Sequence, residues 1–465
     1  MLATLGLLGL LACNGDDPPS GTPDTEVVDT ESDATSGPQL TASCNPDPSG
    51  NTLRFVCDVH VDPPGSVDLS FGPADNSRPE RVHSGDAQIW MYWMAEQTEY
   101  SWRATSVTAP TEIVEGTVTT GLLPQSARIF ASSTGTSSGS LFLTSSPCPG
   151  AYAIVLDAAG TVLWYEDLAQ QGVTPPLIEH VSVTEDDTVL GMSSAYVVEV
   201  GWSGELIQVL TPGFDEGTVV HHEAFKKNGH TYTLFNEEMN LGGDTTKLDG
   251  FYVHDPAGEL IATWRLIDHY TPPIPPVGDG GVVDFSHANS LYVLDDGDIL
   301  VSFRHLSAVA KIRGDWTAPD FGEILWKLSG DASNTDFGTD FSLTATAGSF
   351  PGFIHQHNVH PLPDGRLAML DNRKDQPERT RVLVIDVDEI AGTANVDLAY
   401  ELDRLCIFQG SAWHTEAGNP MALCAPDSTV FEFAANDASE PIYQLNLQCA
   451  NDGSHYTSRF VPLSP

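Results

Sequence analysis

Five histidines recur in one kind of sequence context. His180, His222, His287, His357 and His414 each fall just ahead of a short apolar run that leads into a turn. Imidazole is a nucleophile, a base and a metal ligand near neutral pH, so a repeated placement makes these residues a candidate reaction centre. Arg304, in Ser302-Phe303-Arg304-His305, adds a planar guanidinium able to grip an oxyanion with two N–H groups. Histidines with an arginine, and no evident carboxylate cluster among them, describe an anion site and not a hard-metal site. A His-rich transition-metal centre is the competing chemistry, because imidazole also suits zinc, copper or iron. No CxxC occurs and the Cys and His spacings match no structural zinc pattern, so no metal is expected.

The elements that would gather these side chains are strands. Beyond Ser126 the chain repeats loosely: a strand, a turn rich in Asp, Asn and Gly, a strand, then a second hairpin that often ends Gly-x-x-x-x-Trp. Six copies fall near Leu141, His180, His222, His287, His357 and His414. Each copy has the length of a four-stranded propeller blade, and no segment sustains the 3.6-residue apolar period of a long helix. The spacing predicts a six-bladed β-propeller over residues 126–465. The first strand of each blade would line the central channel, so equivalent positions converge on the axis. Trp164, Trp264 and Trp326, recurring in the second hairpins, read as packing between blades. Residues 41–122 read as short alternating strands over 53–59, 67–71, 89–94, 100–107 and 113–119, a small β-sandwich of immunoglobulin or fibronectin type. Trp90, Tyr92, Trp93 and Trp102 are expected in its core and cross-strand pairs. The fold class is all-β.

Composition limits the partners. The 465 residues carry 20 basic against 64 acidic groups, a net charge of -44, which excludes nucleic acid and anionic membrane surfaces. Beyond position 12 no apolar run is long enough to span a bilayer. Residues 1–13 end Leu10-Leu11-Ala12-Cys13, the lipoprotein processing pattern, with Cys13 as the lipid attachment site. The expectation is an exported protein, anchored by lipid to the bacterial cell envelope in the periplasm or at the outer-membrane surface. Residues 14–40 hold seven acidic groups and no Lys or Arg among Pro, Gly, Ser and Thr, which reads as a disordered acidic tether. Six cysteines remain for an oxidising compartment. Local pairing joins Cys44 with Cys57 and Cys406 with Cys424, which leaves Cys148 with Cys449.

Three stretches resemble the bacterial arylsulfotransferases. They are His221-His222-Glu223 with Asn228-Gly229; Phe285-Ser286-His287-Ala288-Asn289-Ser290 continuing to Ser302-Phe303-Arg304-His305-Leu306-Ser307; and Gln356-His357 with Asp364-Gly365 and Asp371-Asn372. The likeness covers about residues 140–450. It implies a six-bladed propeller, often behind a small sandwich, and no nucleotide cofactor. It also implies a ping-pong reaction in which an aryl sulfate ester gives its sulfuryl group to His357 and a phenolic acceptor removes it. His222, His287 and Arg304 would bind the sulfate oxygens and Asn289 would donate a hydrogen bond; His221 is the alternative within the doublet. His355 and His360 crowd the expected nucleophile. A different class of function, a propeller that binds a ligand or partner in its channel without chemistry, would keep the fold and survive loss of His357.

Overall fold

Tight polar turns set the strand boundaries. At Asp157 and Asp255 the carboxylate accepts the N–H groups two and four residues on, at 2.8–3.0 Å, and a glycine with positive φ closes each turn at Gly160 and Gly258. Asn228-Gly229 takes the two-residue left-handed hairpin geometry, φ 50° and 74°. The computed structural model describes residues 39–169, 178–211, 218–273, 282–330, 337–346, 351–373, 379–450, 457 and 459–463. The expected signal segment, Cys13 and the tether up to residue 38 lie outside the described residues. Among the described residues the longest helix is Leu266–His269, so the expectation of strands without long helices holds.

Residues 39–119 form two antiparallel sheets around a shared core of Leu69, Phe71, Met91, Tyr100 and Trp102. Strands Gln39–Pro46 and Arg81–Gly85 were not among those predicted: the first overlaps the expected tether, and the second has no buried side chain to mark it. Cys44 and Cys57 sit directly opposite each other on paired strands and are bridged. Tyr92 and Trp93 depart from expectation. They pack on Trp202 of the following region instead of filling the core of their own sheets. Buried Arg54 reinforces that junction through Asp47 at 2.7 Å and Glu166 at 2.5 Å.

From residue 129 onward lie six sheets of four or five strands, antiparallel except for one short parallel strand in each of two of them. Several strands are buried on both faces and read as continuous apolar runs, such as Ile299–Phe303 and Leu367–Asp371. One strand on the inner side of each sheet matters for the site: β1 (His180–Val183), β2 (Thr218–Lys227), β3 (Ala288–Val293), β4 (His357–Pro361), β5 (Ser411–His414) and β6 (Phe460–Leu463). Each touches the next in this order. β6 pairs with Leu141–Ser145, which in turn contacts β1, so the series returns to its start. Ile129–Gly135 completes the sheet of β5 by pairing with Asp437–Cys449, and the Cys148–Cys449 bridge joins that sheet to the segment after Leu141–Ser145. Cys406–Cys424 forms the third bridge, so all three expected pairs are present. The recurring tryptophans do span sheets: Trp164 Nε1 donates to Trp202 O and Trp264 Nε1 to Gly322 O, both at 2.9 Å.

Candidate active site

The inner strands are irregular where the histidines sit. In β2 the register passes from Val220 opposite Phe235 to Ala224 opposite Thr233, so three residues face one. β3 bulges between Ala288 and Ser290, and β4 between His357 and His360. His222, His287 and Asn358 adopt left-handed backbone, φ 62°, 49° and 52°. Such conformations are rare for residues with a Cβ and cost about 1–3 kcal/mol each, so the surrounding sheet must hold them. The bulges turn side chains out of the sheet plane and along the inner face. The rings of His222 and His287 lie 5.0 Å apart and those of His222 and His357 6.2 Å apart.

His357 is fixed from one side. Its Nδ1 lies 2.7 Å from Asn372 Oδ1 and 3.2 Å from His355 O. Asn372 spends both amide hydrogens on the carbonyls of Cys406 and Gln409, at 2.6 and 3.0 Å. Its oxygen is therefore the end that faces the ring, and Nδ1 must carry the proton. Nε2 is left with a lone pair. Burial lowers the His357 pKa to about 3; the Asn372 bond opposes this, and the charge of Arg304 adds to it. The ring is neutral near pH 7, and its lone pair is chemically able to attack an electrophile.

Carboxylates stand behind the other two rings, contrary to the sequence expectation of none. His287 Nδ1 lies 2.6 Å from Asp284 Oδ2, which leaves Nε2 to face outward. Strand Val282–Asp284 brings that carboxylate in by adding in parallel to the long strand Asp244–His254. Burial works to raise the Asp284 pKa, but the His287 hydrogen bond and the charges of His287, His305 and His221 outweigh it and hold it low. His222 Nδ1 lies 2.8 Å from His221 Nδ1, and His221 Nε2 lies 3.0 Å from Asp249 Oδ1. The shared proton has two placements: with His221 as donor His222 keeps an Nε2–H, and with the His221 N–H turned to Asp249 it is His222 that donates and keeps an Nε2 lone pair. Burial, then the nearby His221, His287, His357 and Arg459, holds the His222 pKa well below its usual value.

Arg304 reaches the same place from the turn after Ile299–Phe303. Its N–H donates to His287 O at 2.9 Å and Nη2 to Ile407 O at 3.4 Å. Asp284, His287 and His305 also bring ligand atoms within 4.8 Å of one another, a spacing that could hold a metal ion. Both imidazole Nδ1 atoms already meet oxygen acceptors there, Asp284 Oδ2 and, at 2.7 Å, Asp284 O. The trio is thereby organised as a proton network.

Residues 129–412 match the profile of the arylsulfotransferase (ASST) family. The chain belongs to the arylsulfotransferase family. No curated protein matches it. Among solved structures, a protein of unknown function from Bacteroides caccae shares 11% identity over 70% of this chain and 100% of its own, with a TM-score of 0.44. A virginiamycin B lyase from Staphylococcus aureus, solved with quinupristin, shares 7% over 69% of this chain and 99% of its own, at 0.38.

Within this arylsulfotransferase-family chain, His222, Asn289 and His357 line one small polar cavity. Arg304 and His287 do not line it: the Arg304 charge acts on His357, and the His287 ring lies 5.0 Å from that of His222. His222, not His221, faces the cavity. Asn289 gives one amide hydrogen to Gln356 O at 2.6 Å, so only its second hydrogen suits the donor role expected of it. The outer two of the five histidines do not join. His180 faces Arg459 and Glu223, and His414 closes β5 beside His360, instead of preceding the strand as the sequence suggested. The His355 carbonyl meets His357 Nδ1 at 3.2 Å, while the rings of His355 and His360 pair with those of His305 and Trp413. Sequence reasoning missed Glu179 and Arg459, which line the cavity, and the supporting Asp249 and Asp284. Asn372 stands in the Asp371-Asn372 motif, but its neighbours in sequence give it no role.

Proposed function

We propose that the protein moves a sulfuryl group from an aryl sulfate ester to a phenol by a two-step exchange through His357. The lock on His357 carries this reading: Asn372 holds Nδ1–H and leaves the Nε2 lone pair in a ring that shares its cavity with His222 and Asn289 and feels the charge of Arg304. In the first step Nε2 forms a bond to sulfur as the sulfur–aryl oxygen bond breaks, and the electron pair leaves on the phenolate. In the second a phenol oxygen attacks sulfur and the N–S pair returns to His357. Charge spreads over the three equatorial oxygens, as in phosphoryl transfer, and positioned donors supply most of the acceleration. In this reading the six sheets are blades of a closed propeller and residues 41–122 a separate sandwich. Donor and acceptor are small molecules, and the reaction needs no cofactor.

The test is direct. Protein mixed with p-nitrophenyl sulfate should release nitrophenol faster when phenol is added and should carry one sulfo group by mass when phenol is withheld. Folded protein that releases none with several phenols would overturn the reading. Arg304→Met should reduce transfer by about 3 kcal/mol, roughly a hundredfold, because one oxyanion donor is lost; steady-state rates with p-nitrophenyl sulfate measure it. We also propose export and lipid anchoring at Cys13. Cys13→Ser should move the protein from the membrane fraction to the soluble one in cell fractionation.

A further inference from the structure

Departure of a phenolate calls for a proton, and an incoming phenol must lose one. The exchange through His357 therefore needs a group that serves both directions, and the assignment of that group rests on the sulfuryl-transfer reading. The residues placed so far are poorly suited to it: burial and neighbouring charges hold the His222 pKa well below its usual value, so its neutral ring carries no second proton to give. His357 Nε2 is the nucleophile and its Nδ1–H is committed to Asn372, while a guanidinium does not give up its proton in water. Three nearby carboxyls are engaged: Asp284 with His287, Asp249 with Ser286, and Glu223 with Arg459.

Glu179 differs from these. It directly precedes β1, where its own N–H bonds Met192 O at 2.8 Å, and it lines the cavity together with His222 and His357. It is half-buried, and no Lys or Arg lies within ion-pair distance of it among the described residues. The backbone N–H of His222, on the left-handed bulge of β2, lies near enough to its carboxyl to favour the charged form. We propose that Glu179 is the acid and base of the two half-reactions. As the sulfur–aryl oxygen bond breaks, the phenolate takes the Glu179 proton; as the acceptor attacks, the Glu179 carboxylate takes the phenol proton, so the carboxyl is restored each turnover.

The environment favours this work. Burial raises the Glu179 pKa, against the charge of His221 and the His222 N–H, which brings the carboxyl nearer the pH of use. The charged and titratable groups that face it are His221 and His222 from β2, His357 from β4 and Arg459 ahead of β6. As acid in the first half-reaction, Glu179 makes sulfation of His357 fall as pH rises through its pKa. As base in the second, it makes transfer to phenol rise over the same range.

The deciding experiment measures both half-reactions separately for wild type, Glu179→Gln and Glu179→Asp, with phenyl sulfate and p-nitrophenyl sulfate as donors. For phenyl sulfate, whose phenolate is strongly basic, E179Q should sulfate His357 about 10²–10⁴-fold more slowly. For p-nitrophenyl sulfate the loss should be about tenfold smaller or less than that, since its phenolate leaves with little help. E179D should recover part of the phenyl sulfate rate, and both pH limbs should vanish in E179Q. If E179Q does not fold, E179D must still show a loss that is larger for phenyl sulfate. Equal loss with both donors, or pH limbs retained in E179Q, overturns the role of Glu179 and leaves the chemistry of His357 intact. Absence of wild-type sulfation from either donor overturns the sulfotransferase reading, and this role with it.

Discussion

His357→Ala should abolish both acceptor-dependent nitrophenol release and the sulfo-protein, a loss of about 10⁴-fold or more. The neighbouring donors would still bind a sulfate ester, but no nitrogen remains to form the bond to sulfur. Residual turnover would then be hydrolysis, without dependence on the phenol. Because burial holds His357 near 3, its lone pair is available through the whole neutral range. With p-nitrophenyl sulfate the limb due to His357 should therefore appear only as pH falls toward about 3, where protonation removes the nucleophile. A pH–rate profile of the first half-reaction reads this directly. An H357A protein that retains acceptor-dependent release would place the chemistry elsewhere.

The second large effect belongs to a residue that touches no substrate. Asn372→Leu should lower kcat by about 10²–10⁴-fold, by analogy with orienting residues in other nucleophile–imidazole systems, while the KM for donor changes little. Two losses combine. The shorter of the two acceptors for Nδ1–H disappears, leaving His355 O at 3.2 Å, so the ring is freer to rotate or take the other tautomer, with Nε2 protonated and unreactive. The carbonyls of Cys406 and Gln409 lose a buried donor, which costs about 1–3 kcal/mol of stability for each unsatisfied group. Thermal unfolding measures the second loss, and the ratio of kcat to KM effects isolates the first. A large rise in KM with kcat unchanged would mean that Asn372 shapes the binding loop instead of the nucleophile.

That loop shows how closely the site depends on packing. Gly410, at φ 91°, follows Gln409 at φ 48°, and a Cβ on Gly410 would fall 2.4 Å from Leu423 O. Close approach of the backbone there keeps Gln409 O within reach of Asn372, and the Cys406–Cys424 bridge restrains the same segment.

Much of this was legible in the linear order of residues. Repeated turns built on Asp, Asn and Gly announce hairpins because each demands a particular backbone geometry, and the strands between them are apolar because both faces are covered. Local cysteine pairs, the lack of long helices among the described residues, and the motifs around His222, His287, Arg304 and His357 follow from the same local chemistry. Two strands of the first region escaped notice because they begin in a polar segment or bury nothing. The supports of the site were hidden for a different reason. Asp284 reaches His287 only because a short strand adds in parallel to a long one, and Arg459 arrives on the last part of the chain, 279 residues from His180. Which histidines converge depends on bulges and left-handed residues that reverse the direction of single side chains. A sequence determines the types of groups and the local turns, since those are set by neighbouring residues. Which groups meet, which nitrogen carries the proton and which carboxyl faces the cavity were decided only by tertiary contacts between distant strands.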